Sequence, residues 1–86
     1  MPKVSEFYGV QIYQQLREHG VPHFHARYAG DKASIAIETL EMLAGNLPRR
    51  AHNLVLEWAS IHRTELSANW RKTQQGTLPD DIEPLP

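Results

Sequence analysis

Apolar and polar positions alternate in the first half of this chain and recur at helical spacing in the second, and that change of period divides it. From Val4 to Leu16 two sets interleave. Tyr8, Val10 and Ile12 fall on one face; Gly9, Gln11, Tyr13 and Gln15 fall on the other. A period of two predicts a half-buried strand. Glu18 to Pro22 reads as a loop, because Gly20 and Pro22 punctuate it and the proline drives Val21 toward extended geometry.

The clearest element is a β-hairpin. A two-residue turn placed at Gly30-Asp31 suits a type II′ geometry, with glycine first. Tyr28 then pairs with Ala33, Ala26 with Ile35 and Phe24 with Ile37 on an apolar face. Arg27 pairs with Ser34, His25 with Ala36 and His23 with Glu38 on a polar one. A slip of one residue destroys that segregation. Thr39 to Gly45 reads as a turn and a short fourth strand ending at Gly45.

A long helix follows over about 47–75. Asn46 is placed to cap it and Pro48 fits its first turn. Ala51, Leu54, Val55, Trp58, His62, Leu66 and Asn69 form one stripe at helical spacing, with Arg49, Asn53, Glu57, Ser60, Thr64 and Arg71 opposite. Gly76 stops the helix, with Pro79 just beyond. The proline-rich, acidic tail 77–86 offers Ile82 and Leu85 to pin it to the body.

Two apolar surfaces, one on the sheet and one on the helix, must leave water together. The expected fold is a single α+β domain over 1–76. It is a small antiparallel sheet of three to four strands, drawn from residues 4–44, backed on one face by one long C-terminal helix. His62 lies in the middle of the core stripe, so it is expected as a buried, hydrogen-bonded histidine. His52, at the helix edge, is given no role.

Length and composition narrow the function. Eighty-six residues bury one modest core, so a partner or a homodimer interface would help stability. With no cysteine, disulfides and thiolate metal sites are excluded. No apolar run approaches the ~20 residues of a membrane span, and a soluble, cytoplasmic protein is expected. The net charge of −1 counts against a dedicated nucleic-acid binder. Arg49, Arg50, Arg63, Arg71 and Lys72 make the helix basic, while Asp80, Asp81 and Glu83 make the tail acidic. The arginines Arg49 and Arg50 stand against the dipole of a helix N-terminus, which hints that they face an anion or an acidic surface; otherwise they are two solvated side chains at a helix start.

The candidate chemistry lies in Pro22-His23-Phe24-His25. Two residues apart on a strand, the imidazoles point to the same side of the sheet, within reach of one metal ion, phosphate or carboxylate. Arg27 and Glu38 share that face, Tyr13 borders it, and His19 sits in the preceding loop at its rim.

The chain also resembles a bacterial family of small proteins, domain of unknown function 4160. The resemblance runs through Phe7-Tyr8-Gly9, the stretch from Glu18 to His25, Tyr28-Ala29-Gly30, and Ile37-Glu38-Thr39-Leu40. It continues through Gly45 to Arg50, Leu56-Glu57-Trp58-Ala59, His62-Arg63, Glu65-Leu66, Asn69-Trp70 and Ile82-Glu83-Pro84-Leu85. Relatives often have Asp-His and Pro-Pro where this chain has Glu18-His19 and Val21-Pro22, so the acid is kept in type. The resemblance implies no settled activity. It implies a gene setting beside a second small protein, in pairs that look like toxin–antitoxin modules.

Three functions follow from these features. The leading expectation is an interaction module in a toxin–antitoxin-like pair, whose partner is the small protein encoded next door. Such a module would present His23, His25, Tyr13 and Arg27. The second is a metal-independent ribonuclease with His23, His25 and Arg27 as base, acid and phosphate cation, and Glu38 orienting His23. RNA is not favoured as a partner by the charge. The third is a non-catalytic metal or anion site in which His23 and His25 bind zinc or nickel, with His19 or Glu38 as a third ligand. No cofactor is required by the first two.

Overall fold

In the computed structural model, which describes residues 2–86, five antiparallel strands form one sheet in the order β1-β2-β3-β4-β5. They are β1 (Lys3–Phe7), β2 (Val10–Tyr13), β3 (His23–Tyr28), β4 (Asp31–Ala36) and β5 (Met42–Gly45). Two helical segments, α1 (Arg49–Ile61) and α2 (Arg63–Gln74), follow. The α+β class is as expected, and the strand count is five rather than three to four.

The extra strand comes from Val4–Leu16, which is a hairpin and not one strand. Phe7 pairs with Val10 across a turn at Tyr8 and Gly9, whose φ angles are 48° and 83°. Tyr8 stands on the same alternation as Val10 and Ile12 and so reads as a core position. It is in fact 61% exposed, and Phe7 takes the core place.

Between β3 and β4 the turn falls at Ala29-Gly30, one residue earlier than expected, so Tyr28 pairs with Asp31. Every partner therefore shifts by two: Phe24 meets Ile35, Ala26 meets Ala33, His25 meets Ser34 and His23 meets Ala36. A two-residue shift preserves parity, so the faces survive while the cross-strand neighbours change. Glu38 does not oppose His23; it lies beyond the end of β4, exposed.

The helical stripe covers the apolar face. Trp58 is fully buried, with its ring 5.4 Å from Phe7 and 6.0 Å from Phe24, among Val10, Ile12, Ile35, Val55 and Leu66. Each such side chain contributes about 1.5–3 kcal/mol by leaving water. The helix begins at Arg49 with Pro48 at the cap position and no side-chain cap, so Asn46 does not cap it. The Asn46 backbone N–H instead donates to the Lys32 carbonyl. Nor is the helix a single rod: His62 (φ −110°, ψ 23°) interrupts it. Its N–H still reaches the Trp58 carbonyl and its own carbonyl accepts from Leu66, so the core stripe stays in phase across the break. His62 is half-buried and bonded to Glu65 at 2.5 Å.

The tail packs back onto the body. Ile82 and Leu85 are buried, and the Ile82 N–H donates to the Val4 carbonyl along the outer edge of β1. Trp58 Nε1 donates to the Glu83 carbonyl, Tyr8 to that of Pro86, and Lys72 to the Asp80 carboxylate. No helix is long and apolar enough to cross a membrane among the described residues.

Candidate functional site

Three side chains converge where the β2–β3 loop enters β3. His23 and His25 project from the same side of that strand, ring centroids 5.2 Å apart and nearly perpendicular. Glu18 reaches them from the loop. One carboxylate oxygen lies 3.2 Å from His23 Nε2, and the other contacts His25 Nε2. One ligand atom from each of the three lies within 4.8 Å of the other two.

The loop holds Glu18 in place through backbone contacts with α2. The Arg17 N–H donates to the Thr73 carbonyl, and Gln74 Nε2 donates to the Glu18 carbonyl. Arg17 has a φ of 53°, and this reversal brings the next residue back toward β3. Trp70 of α2 packs on His23 with ring centroids 5.2 Å apart. The His23 end of the face is therefore roofed by α2, while His25 and Arg27 look out over the uncovered sheet. Side-chain exposure is 10% for His23, 20% for Glu18 and 23% for His25, so the cluster is shielded yet open on one side.

Second contacts fix the rings. His23 Nδ1 lies 2.7 Å from the Val21 carbonyl, which can only accept, so Nδ1 carries a proton. In a neutral ring Nε2 is then a bare lone pair aimed at a carboxylate. A lone pair and a carboxylate so placed are two electron-pair donors that one metal ion could join. His25 Nδ1 meets the Ser34 hydroxyl at 3.2 Å, and a hydroxyl serves either tautomer. Such outer contacts on the far ring nitrogen are the usual means of orienting metal-binding imidazoles.

The other expected residues lie apart from this cluster. His19 is exposed and is not a member, and neither is Glu38. Tyr13 pairs with His25 across β2 and β3, and its ring lies 5.6 Å below the Arg27 guanidinium. Arg49 and Arg50 line a separate shallow depression with Asn53, Leu54 and Glu57. Glu18 is the member of the cluster that sequence reasoning assigned to the loop alone. The signal was its spacing of five and seven residues from the two histidines, which becomes contact only through the reversed loop.

Comparison with known proteins adds a family and no activity. A family profile described as "Domain of unknown function (DUF4160)" matches residues 8–71, which include Glu18, His23 and His25. No curated protein and no solved structure gave a significant match. With most of its length matched, from the first hairpin turn to the last turns of α2, the chain belongs to the DUF4160 family.

Proposed function

We propose that this protein is a divalent-metal protein whose centre is Glu18, His23 and His25. The observation that carries the reading is the convergence of two imidazole Nε2 atoms on one carboxylate while His23 Nδ1 is tied to a backbone carbonyl. Two histidines and one carboxylate are a donor set for zinc with an open fourth position, and for iron(II). The three ligand atoms lie within 4.8 Å of one another, so small side-chain adjustments would bring them to the roughly 3.3 Å separation of ligands on a tetrahedral zinc. A metal there would lower the pKa of a bound water, supplying a nucleophile for hydrolysis.

This donor set favours the metal reading over a metal-independent ribonuclease. Base and acid in such an enzyme must address different oxygens of the substrate, whereas here both Nε2 atoms turn onto Glu18. The interaction reading draws its support from elsewhere, from the outer edge of β5, which no strand covers among the described residues. A toxin–antitoxin-like partner adding a strand at that edge is compatible with a metal centre on the face.

The test is metal binding by the chelator-treated protein. Zinc and cobalt(II) should each bind at one ion per chain and raise the unfolding temperature. Cobalt should show the visible absorption of a four- or five-coordinate site. Both His23→Ala/His25→Ala and Glu18→Gln should lose the ion while keeping the circular dichroism of the wild type. Equal metal content in wild type and the double variant would overturn the reading.

A further inference from the structure

Beside His25 the uncovered face of the sheet is hollowed into a cleft of about 300 Å³, at the lower end of the volumes that hold small organic ligands. Gln15, His25, Arg27, Lys32 and Ser34 line it, and Gly45 bounds it on the β5 side. No carboxylate contributes to its wall.

Its charge is unusual for a sheet surface. Arg27 and Lys32 stand directly opposite each other in the β3–β4 ladder. Like charges so placed repel and destabilise the pair. Among the described residues neither cation lies within ion-pair distance of a carboxylate. The Arg27 guanidinium is held over the Tyr13 ring instead, a contact that orients it without neutralising it.

We propose that this cleft is a phosphate subsite. It takes a small organic phosphate, with the phosphoryl group between Arg27 and Lys32 and the organic part running along β3 toward His25. The identification as a substrate subsite rests on the metal-centre reading above. Two uncompensated cations beside the Ser34 hydroxyl match a group carrying close to two negative charges, as a phosphate monoester does near neutral pH. A carboxylate would leave one cation unpaired. Arg27 and His25 are two strand positions apart, roughly 6.8 Å, and line the same cleft, so a phosphoryl group held at Arg27 leaves the adjoining carbon chain within reach of His25.

Calorimetric titration of the chelator-treated protein with phenyl phosphate and with benzoate tests this. Phenyl phosphate should bind the wild type, and benzoate should bind at least about tenfold more weakly. Arg27→Gln/Lys32→Gln should lose roughly ten- to hundredfold in phenyl phosphate affinity. That variant should still take up one zinc, since it leaves Glu18, His23 and His25 intact and removes a repulsion rather than a support. Glu18→Gln/His23→Ala, which leaves every residue lining the cleft in place, should lose zinc and keep phenyl phosphate. Unchanged phenyl phosphate affinity in Arg27→Gln/Lys32→Gln, or benzoate binding as tightly as phenyl phosphate, would overturn the proposal. Phosphate binding that follows Arg27 and Lys32 in a protein that takes up no metal would support the anion site and refute the metal centre.

Discussion

Gly45 passes the Lys32 carbonyl so closely that a Cβ added to it would stand 2.2 Å from that oxygen. The same residue has a φ of 80°. Both facts come from one turn of the chain, which ends β5 against β4 and sends residue 46 to bond the Lys32 carbonyl. Gly45→Ala must therefore adopt an unfavourable backbone and push aside a neighbouring strand. The cost should be about 2–4 kcal/mol, read as a lower urea midpoint. An unchanged midpoint would show that β5 is free to move away from β4.

The opposed cations of the cleft carry a cost in stability. Lys32→Gln removes one member of the Arg27–Lys32 pair and should stabilise the fold by about 0.2–1 kcal/mol, most clearly at low salt. Chemical denaturation at two ionic strengths measures this. A loss of stability would mean that Lys32 has a favourable partner.

Trp58 joins the core to the tail. Its ring fills the space between Phe7 and Phe24, and its N–H holds the Glu83 carbonyl. Trp58→Phe removes that donor and part of the ring, for an expected loss of about 1–3 kcal/mol. Residues 77–86 should also become more accessible to protease under native conditions. Slow cleavage unchanged from wild type would show that Ile82 and Leu85 suffice to hold the tail.

At the β1 edge, the Lys3 ammonium lowers the Glu6 carboxyl from its ordinary 4.5 by hydrogen bond and charge, and Glu6 raises Lys3 from 10.5. What Glu6 adds is present above its unfolded value and fades as pH falls through its lowered folded one. What Lys3 adds is present below 10.5 and fades as pH rises beyond. Both groups are fully exposed, so Glu6→Gln should lower a low-salt stability profile only slightly between the two titrations and flatten both its acid and its alkaline limb. The same change persisting in high salt would indicate a contact other than charge.

How far the sequence carried can be followed residue by residue. Face assignment in β3 and β4 was readable because parity tolerates the two-residue shift between the expected turn at Gly30-Asp31 and the observed one at Ala29-Gly30. Partner assignment was not, because the reversed φ of 54° falls on Ala29, although glycine is the residue that adopts such angles freely. Tyr8 concealed the first turn in the same way. The break at His62 has no glycine or proline to announce it, and the His62–Glu65 pairing is its one sequence trace. His23 and His25 were legible from strand alternation alone. Glu18 was not, since its place depends on a loop pinned to α2, a contact between segments more than fifty residues apart.

The hydrogen bond from Ile82 to Val4 also sets an order of events during synthesis. Tyr8 and Pro86, bonded at the same end of the molecule, are 78 positions apart. While the chain is being made, β1 can pair with β2 but its outer edge stays bare until the tail has left the ribosome. For that interval the nascent protein carries an open strand edge, which a chaperone or a neighbouring nascent chain can pair with before residues 77–86 fold back against β1.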